Sequence, residues 1–197
     1  MKIITHQELQ QLMHSINRRS PFGERDFWML QLLATTGLRV GELVGLDVGH
    51  VSHQGQPRQV LFLPSEHAKG ARSRSIPLNQ PARQAVAGLL AFLAMRGFSV
   101  EPGAPLLVVR QHRRISIRLV QQIVQRLREK CALDTPATPH SCRHYFATQL
   151  LERGQDVCSV SRLLGHTRVQ TTMVYQHATP EHLADTVRAL EAKWVGA

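Results

Sequence analysis

Four separated stretches of this 197-residue chain hold side chains of one chemical purpose. They are Thr36-Gly37-Leu38-Arg39-Val40-Gly41-Glu42-Leu43, Lys69-Gly70 ahead of Arg74-Ser75-Ile76-Pro77-Leu78, Pro139-His140-Ser141-Cys142-Arg143-His144, and Leu164-Gly165-His166 leading to Tyr175. Together they supply Arg39, Arg143, Lys69, His140, His166 and Tyr175, the groups needed to break a phosphodiester without a metal. A tyrosine hydroxyl has an ordinary pKa of about 10, so it attacks only with a nearby proton acceptor or a cationic surrounding that favours phenolate. Histidine offers the first and arginine the second. The attacked phosphate gathers negative charge in a five-coordinate transition state, and planar guanidinium forks match its oxygens better than ammonium groups do. By analogy with oxyanion donors, losing one such clamp costs about 3 kcal/mol of barrier. The departing sugar oxygen needs a proton, which a lysine beside the bond can give.

Each of these residues also has a plain structural reading. Arg39 alone is a surface residue at a helix start. His140 and Arg143, at i and i+3, share a helix face as a cap and a solvated side chain would. His166 after Gly165 is also suited to close a helix, and Arg72 and Arg74 compete with Lys69 on the same basic stretch. His144 and His177 read as structural or substrate-side neighbours. Of the two tyrosines, Tyr145 lies among Phe146, Ala147 and Leu150 and reads as core. Eleven histidines raise the question of a metal, but no H-E-x-x-H or Cys-His spacing occurs, and the stretches lack clustered Asp and Glu. The expectation is no metal and no cofactor.

Lys and Arg number 24 against 14 Asp and Glu, a formal charge of +10, which points to a polyanionic partner. The basic residues are spread along the chain, so a folded surface and not a tail carries them. Cys131, Cys142 and Cys158 show no C-x-x-C spacing and read as small buried hydrophobes in a reducing compartment. No 18-residue apolar run and no signal peptide are present, so the expected location is the cytoplasm, beside the nucleoid, with no membrane contact.

The elements that must position these groups are mostly helices. Thr5 and Glu8 form a capping box ahead of Leu9, Leu12, Met13 and Ile16. Phe27 to Thr36 is a buried helix ended by Gly37, and a second helix carries Val40, Leu43, Val44 and Leu46. Val60 to Leu63 and Arg74 to Leu78 read as a small antiparallel sheet with Lys69 near its turn. Pro81 opens a helix with Val86, Leu89, Leu90, Leu93 and Met95 on one side. Leu106 to Val109 is a strand or a buried extended segment. Ser116 starts a helix bearing Leu119, Val120, Ile123, Val124 and Leu127, and a helix from about His140 to Arg153 follows Pro136 and Pro139. Asp156 to Leu164 is short and ends at Gly165; Thr179-Pro180-Glu181 opens a last helix with the stripe Leu183, Val187, Leu190. The fold class is mainly α with a small antiparallel β-sheet (α+β).

As a set, the four stretches resemble the motifs of the tyrosine recombinases of the phage integrase family, over nearly the whole chain from Thr5 onward. The resemblance implies the fold of their catalytic domain, as one domain over residues 1–197 without the separate helical DNA-clamping domain that usually precedes it. It implies Arg39 as the first catalytic arginine, Lys69 as the hairpin lysine, His140 and Arg143 as the H-x-x-R pair, His166 as the second histidine and Tyr175 as the nucleophile nine residues later. Glu42 stands where the family places an acidic residue behind the first arginine. Arg72, Arg74 and Arg168 are expected to bind DNA. Cys142 replaces a larger apolar residue inside H-x-x-R, a tolerated core change.

The implied activity is site-specific recombination of double-stranded DNA through a 3′-phosphotyrosine, by a homo-oligomer, a tetramer on DNA, in which the C-terminal helix docks on a neighbour or packs on its own core. The alternatives are relaxation of supercoils by the same chemistry, as in type IB topoisomerases, and a DNA-binding regulator that has lost catalysis.

Overall fold

The computed structural model describes residues 4–63, 73–165 and 187–188. The capping box expected at Thr5 opens α1 (His6–His14): the Thr5 hydroxyl accepts from the Glu8 N–H at 3.2 Å, and the Glu8 carboxylate accepts from the Thr5 N–H at 2.8 Å. α2 (Gly23–Thr36) starts a turn earlier than the apolar run suggests, because its first turn is polar. That turn brings Arg25 inside, where one guanidinium nitrogen donates to the Val108 carbonyl at 2.7 Å. Gly37 closes α2 in the left-handed conformation, φ +64°, and a Cβ there would lie 2.5 Å from the Phe146 ring. The chain therefore reverses at the only residue type that fits both the angle and the contact.

α3 (Val40–Gly45) and α4 (Val48–Val51) follow. Next comes a hairpin that the sequence pattern does not announce, β1 (Ser52–His53) paired with β2 (Gln56–Pro57) across left-handed Gln54 and Gly55. The anticipated sheet is β3 (Val60–Leu63) antiparallel to β4 (Arg74–Pro77), with Leu63 opposite Arg74 and Leu61 opposite Ile76. Among the described residues, two separate two-stranded sheets thus stand where one was expected. The segment between β3 and β4, with Lys69 and Arg72, lies outside the described residues.

α5 (Gln80–Met95) is capped by the Asn79 side chain, and it buries Val86, Leu89 and Leu93. Leu90 is half-buried and Met95 is 79% exposed, so the apolar side ends a turn before the helix does. Leu106 to Val108 form a buried extended segment with isolated bridges to neighbours, not a strand. α6 (Ile117–Lys130) is capped by Ser116 and presents Val120, Ile123 and Val124 inward. α7 (Pro139–Glu152) begins with a reciprocal Thr138–Ser141 cap at 3.1 Å in both directions, with Pro139 at its first position. α8 (Val157–Leu164) is capped by Asp156 and ends at left-handed Gly165.

Most buried side chains form one cluster around α2, α5 and the inner faces of α1, α6 and α7. A second cluster joins Phe146 and Leu150 of α7 to Val160, Leu163 and Leu164 of α8, and to Val187. α7 belongs to both, Cys142 and Tyr145 facing the first cluster and Phe146 the second, so it fixes α8 against the Gly37 turn. Cys142 is buried and its thiol is pushed up to about 12 by that burial, which keeps it an unreactive packing group. Cys131 and Cys158 are only half-buried, against the expectation that all three are buried. Of the expected C-terminal stripe, only Val187 is among the described residues: it is buried in the second cluster, and its carbonyl accepts from the Asn79 amide at 3.3 Å.

Candidate active site

The C-terminus of α8 is where the motif residues meet. The last carbonyls of a helix have no partner within it and carry its negative dipole end. Three consecutive ones here each take a guanidinium from a different element. Arg74 of β4 donates through Nε to Leu163 O at 2.9 Å, Arg143 of α7 to Leu164 O at 2.5 Å, and Arg39, preceding α3, to Gly165 O at 3.1 Å. Arg143 also donates to Gly37 O at 2.7 Å, so the carbonyl at the end of α2 and one at the end of α8 are spanned by the same planar fork.

Glu42 gathers two of the three arginines. Its Oε1 accepts from Arg39 at 3.0 Å and from Arg74 at 2.7 Å; its Oε2 accepts from the Arg39 backbone N–H at 2.7 Å and from Arg74 at 2.8 Å. Burial would raise this carboxyl, but hydrogen bonds and charge from Arg74 and Arg39 hold it below the usual glutamate value. It is therefore an anion at neutral pH, with both oxygens doubly occupied. Three guanidinium charges thus surround one carboxylate and a helix C-terminus, leaving an excess of positive charge.

The arginines are not equally accessible. Arg143 is 4% exposed, and burial together with the neighbouring Arg39 charge draws it down to about 10, still protonated at neutral pH. The Arg39 side chain is 38% exposed and opens the cluster to the outside. Arg74, expected to bind DNA, is instead turned inward: its side chain is 8% exposed and its fork is committed to Glu42 and Leu163. The strand register explains this, because Arg74 shares the inward face with Ile76 and lies opposite buried Leu63.

His140 is exposed on the first turn of α7, its ring packed edge-on against His144 with centroids 4.4 Å apart. Partial burial, and then the charges of His144, Arg143 and Arg39, lower its pKa below 6.5. It is thus a neutral imidazole, able to accept a proton, beside the arginines. Tyr145 is core, as expected: its hydroxyl sits 2.7 Å from His6 Nδ1, and burial pushes it up to about 12. Lys69, Arg72, His166, Arg168 and Tyr175 lie outside the described residues. Gly165 ends α8 immediately before His166. Among the described residues no group of three His, Cys, Asp or Glu side chains gathers as a metal ion would require.

The phage integrase family model matches residues 2–182. The chain belongs to the phage integrase family. Among its members, tyrosine recombinase XerD of Halalkalibacterium halodurans is 35% identical over 186 residues, 93% of this chain and 60% of that protein. Tyrosine recombinase XerC of Proteus mirabilis is 36% identical over 178 residues, 90% of this chain and 55% of that protein. The chain spans a little over half the length of these relatives. The crystal structure of XerA recombinase superposes with a TM-score of 0.68 at 26% identity, covering 94% of this chain and 63% of that one. The mainly helical fold with small antiparallel sheets is that of the tyrosine recombinase catalytic domain. Within this phage integrase fold, the arginine cluster occupies the junction of α3, β4, α7 and α8.

Proposed function

We propose that this chain is a single catalytic domain that cuts and rejoins double-stranded DNA by site-specific recombination. The observation that carries the reading is the convergence of Arg39 and Arg143 on the end of α8, one residue before His166. Arg39, the accessible member of the cluster, meets the non-bridging oxygens of the scissile phosphate, and Arg143, buried behind it, joins it in holding the charge that grows in the transition state. Tyr175 attacks phosphorus while neutral His140, with His166, takes up its proton. Lys69 protonates the departing 5′ oxygen, leaving a 3′-phosphotyrosine and a free 5′-hydroxyl. That hydroxyl, or one from a partner strand, then attacks the phosphotyrosine and releases Tyr175. The covalent link conserves the bond energy, so no ATP is needed, and the arginines, histidines and lysine take over the charge and proton work that a metal would otherwise do. Glu42 supports Arg39, and Arg72 and Arg168 contact the DNA backbone.

DNA is the partner, and the working form is a tetramer on DNA inside the cell, at the nucleoid. The relatives named XerC and XerD support recombination over simple relaxation. If about six phosphates are neutralised, binding weakens roughly a thousandfold between 50 and 200 mM salt.

The test is incubation in low salt, without metal, with labelled duplexes from the regions flanking the gene, each carrying a staggered nick that lets the freed end diffuse away. The expected result is a covalent adduct on a denaturing gel that is lost in Tyr175→Phe. Tight binding without an adduct would favour a catalytically silent regulator. Relaxation of a supercoiled plasmid without strand exchange would favour a topoisomerase.

A further inference from the structure

Arg74 stands outside the catalytic set named above, and its placement gives it a distinct task. Like Arg39 itself, it touches both the Glu42 carboxylate and the end of α8, but it does so from β4 and with its fork on both carboxylate oxygens. Two of its nitrogens grip Glu42 at 2.7 and 2.8 Å, and its Nε holds Leu163 O at 2.9 Å. Glu42 in turn fixes Arg39 twice, through its backbone N–H at 2.7 Å and its guanidinium at 3.0 Å. The fit is close: Gly165 has φ +65°, and a Cβ on it would lie 2.7 Å from one Arg74 nitrogen, so the Arg74 side chain fills the space a larger residue would take. Arg74 also sits on β4, directly after the stretch that contains Lys69.

We propose that Arg74 is a positioning residue for the cleavage reaction, the bidentate pin through which Glu42 sets the direction of Arg39 and through which β4 is locked to the α8 turn. It touches no phosphate itself. An arginine is required because only a planar fork can meet both carboxylate oxygens while its Nε reaches a third acceptor; a lysine offers a point charge with no such geometry. A shift of about 1 Å in a group that orients a reacting centre costs about a hundredfold in rate. This inference rests on the recombinase reading for its catalytic consequence, while the pinning itself is independent of it.

The test compares wild type with Arg74→Lys, which keeps the charge and loses the fork; Arg74→Met removes a cation from a buried carboxylate and risks unfolding. Single-turnover adduct formation, DNA affinity and its salt dependence are measured on one nicked duplex. Arg74→Lys is expected to cut the chemical rate about a hundredfold and to leave affinity within about threefold, with the salt slope unchanged. Glu42→Gln is expected to slow the reaction similarly, and adding it to Arg74→Lys should cost little more, because the two act as one unit. A wild-type rate in Arg74→Lys would overturn the proposal. So would a parallel loss of affinity with a salt slope lower by about one, the mark of a direct phosphate contact.

Should wild type itself form no adduct, the recombinase reading fails and the pin is judged by orthovanadate alone, followed through the Arg39 Nε–Hε signal by NMR. About tenfold weaker vanadate binding in Arg74→Lys sustains the pin; equal binding, or none by wild type, overturns it.

Discussion

Glu42 and Asp47 stand five residues apart, and each holds an arginine from a distant part of the chain, but in opposite surroundings. Glu42 is 2% exposed and meets Arg39 and Arg74 with both oxygens doubly bonded. Asp47 is 27% exposed and takes one edge of Arg114, itself 35% exposed, whose other nitrogen caps the carbonyls of Val44 and Leu46 at 2.8 and 2.9 Å. The half-exposed pair is a staple between the α3–α4 corner and the approach to α6, and solvent screens it. The buried pair cannot rearrange into water, so its geometry is passed on to whatever it touches. Burial is what separates a surface ion pair from a device that aims Arg39.

Four experiments probe this contrast, two on the acidic residues of the pairs and two on the buried site that the Glu42 pair supports. The largest effect is expected at Arg143→Lys, where an ammonium cannot span Gly37 O and Leu164 O: single-turnover adduct formation should fall about a hundredfold to a thousandfold. Glu42→Gln leaves two guanidinium groups facing a neutral amide in a buried place. The folded state should lose about 3 kcal/mol, read as a lower urea midpoint at constant slope.

Acidity gives the third experiment. His140 has a folded pKa below 6.5, so adduct formation should rise about tenfold per pH unit below a midpoint that lies under 6.5, and then level off; His140→Gln should remove that limb. The sign for stability follows from the same shift. Below about pH 6.5 the unfolded imidazole gains a proton that the folded one resists, so stability falls as pH drops through that window. The smallest effect belongs to Asp47→Asn, expected to cost under about 1 kcal/mol and to leave cleavage unchanged. A loss at Asp47 as large as that at Glu42 would erase the contrast between the two pairs.

Much of this site is legible in the sequence because its signals are local. Thr5 with Glu8, Gly37 and Gly165 announce where helices begin and end, and the spacing of His140 and Arg143 places them on one turn of α7. Arg39, Glu42 and Arg143 are named by their motifs and lie together in the structure. Arg74 is harder to read, because its charge speaks for the DNA-facing surface while the structure turns its side chain inward onto Glu42. The alternation of β4, which puts Arg74 on the side of Ile76, carried the opposite message and was available. What no local pattern conveys is the three-carbonyl end of α8, since its partners come from β4, α7 and the residue before α3. The polar first turn of α2 and the Gln54–Gly55 hairpin are hidden in the sequence for a related reason: neither has an apolar period long enough to announce it.

The central claim is that Arg39 and Arg143 hold the charge of the attacked phosphate and that Arg74 does not. The most direct test replaces one charged oxygen of the scissile phosphate by a methyl group, in both stereoisomers, at the cleavage position that the adduct locates. Removing that charge removes the need for the guanidinium facing it. Cleavage by an Arg143 or Arg39 variant should therefore recover substantially on one isomer, while Arg74→Lys gains nothing from either. No recovery for either clamp variant, or recovery by Arg74→Lys alone, would contradict the account.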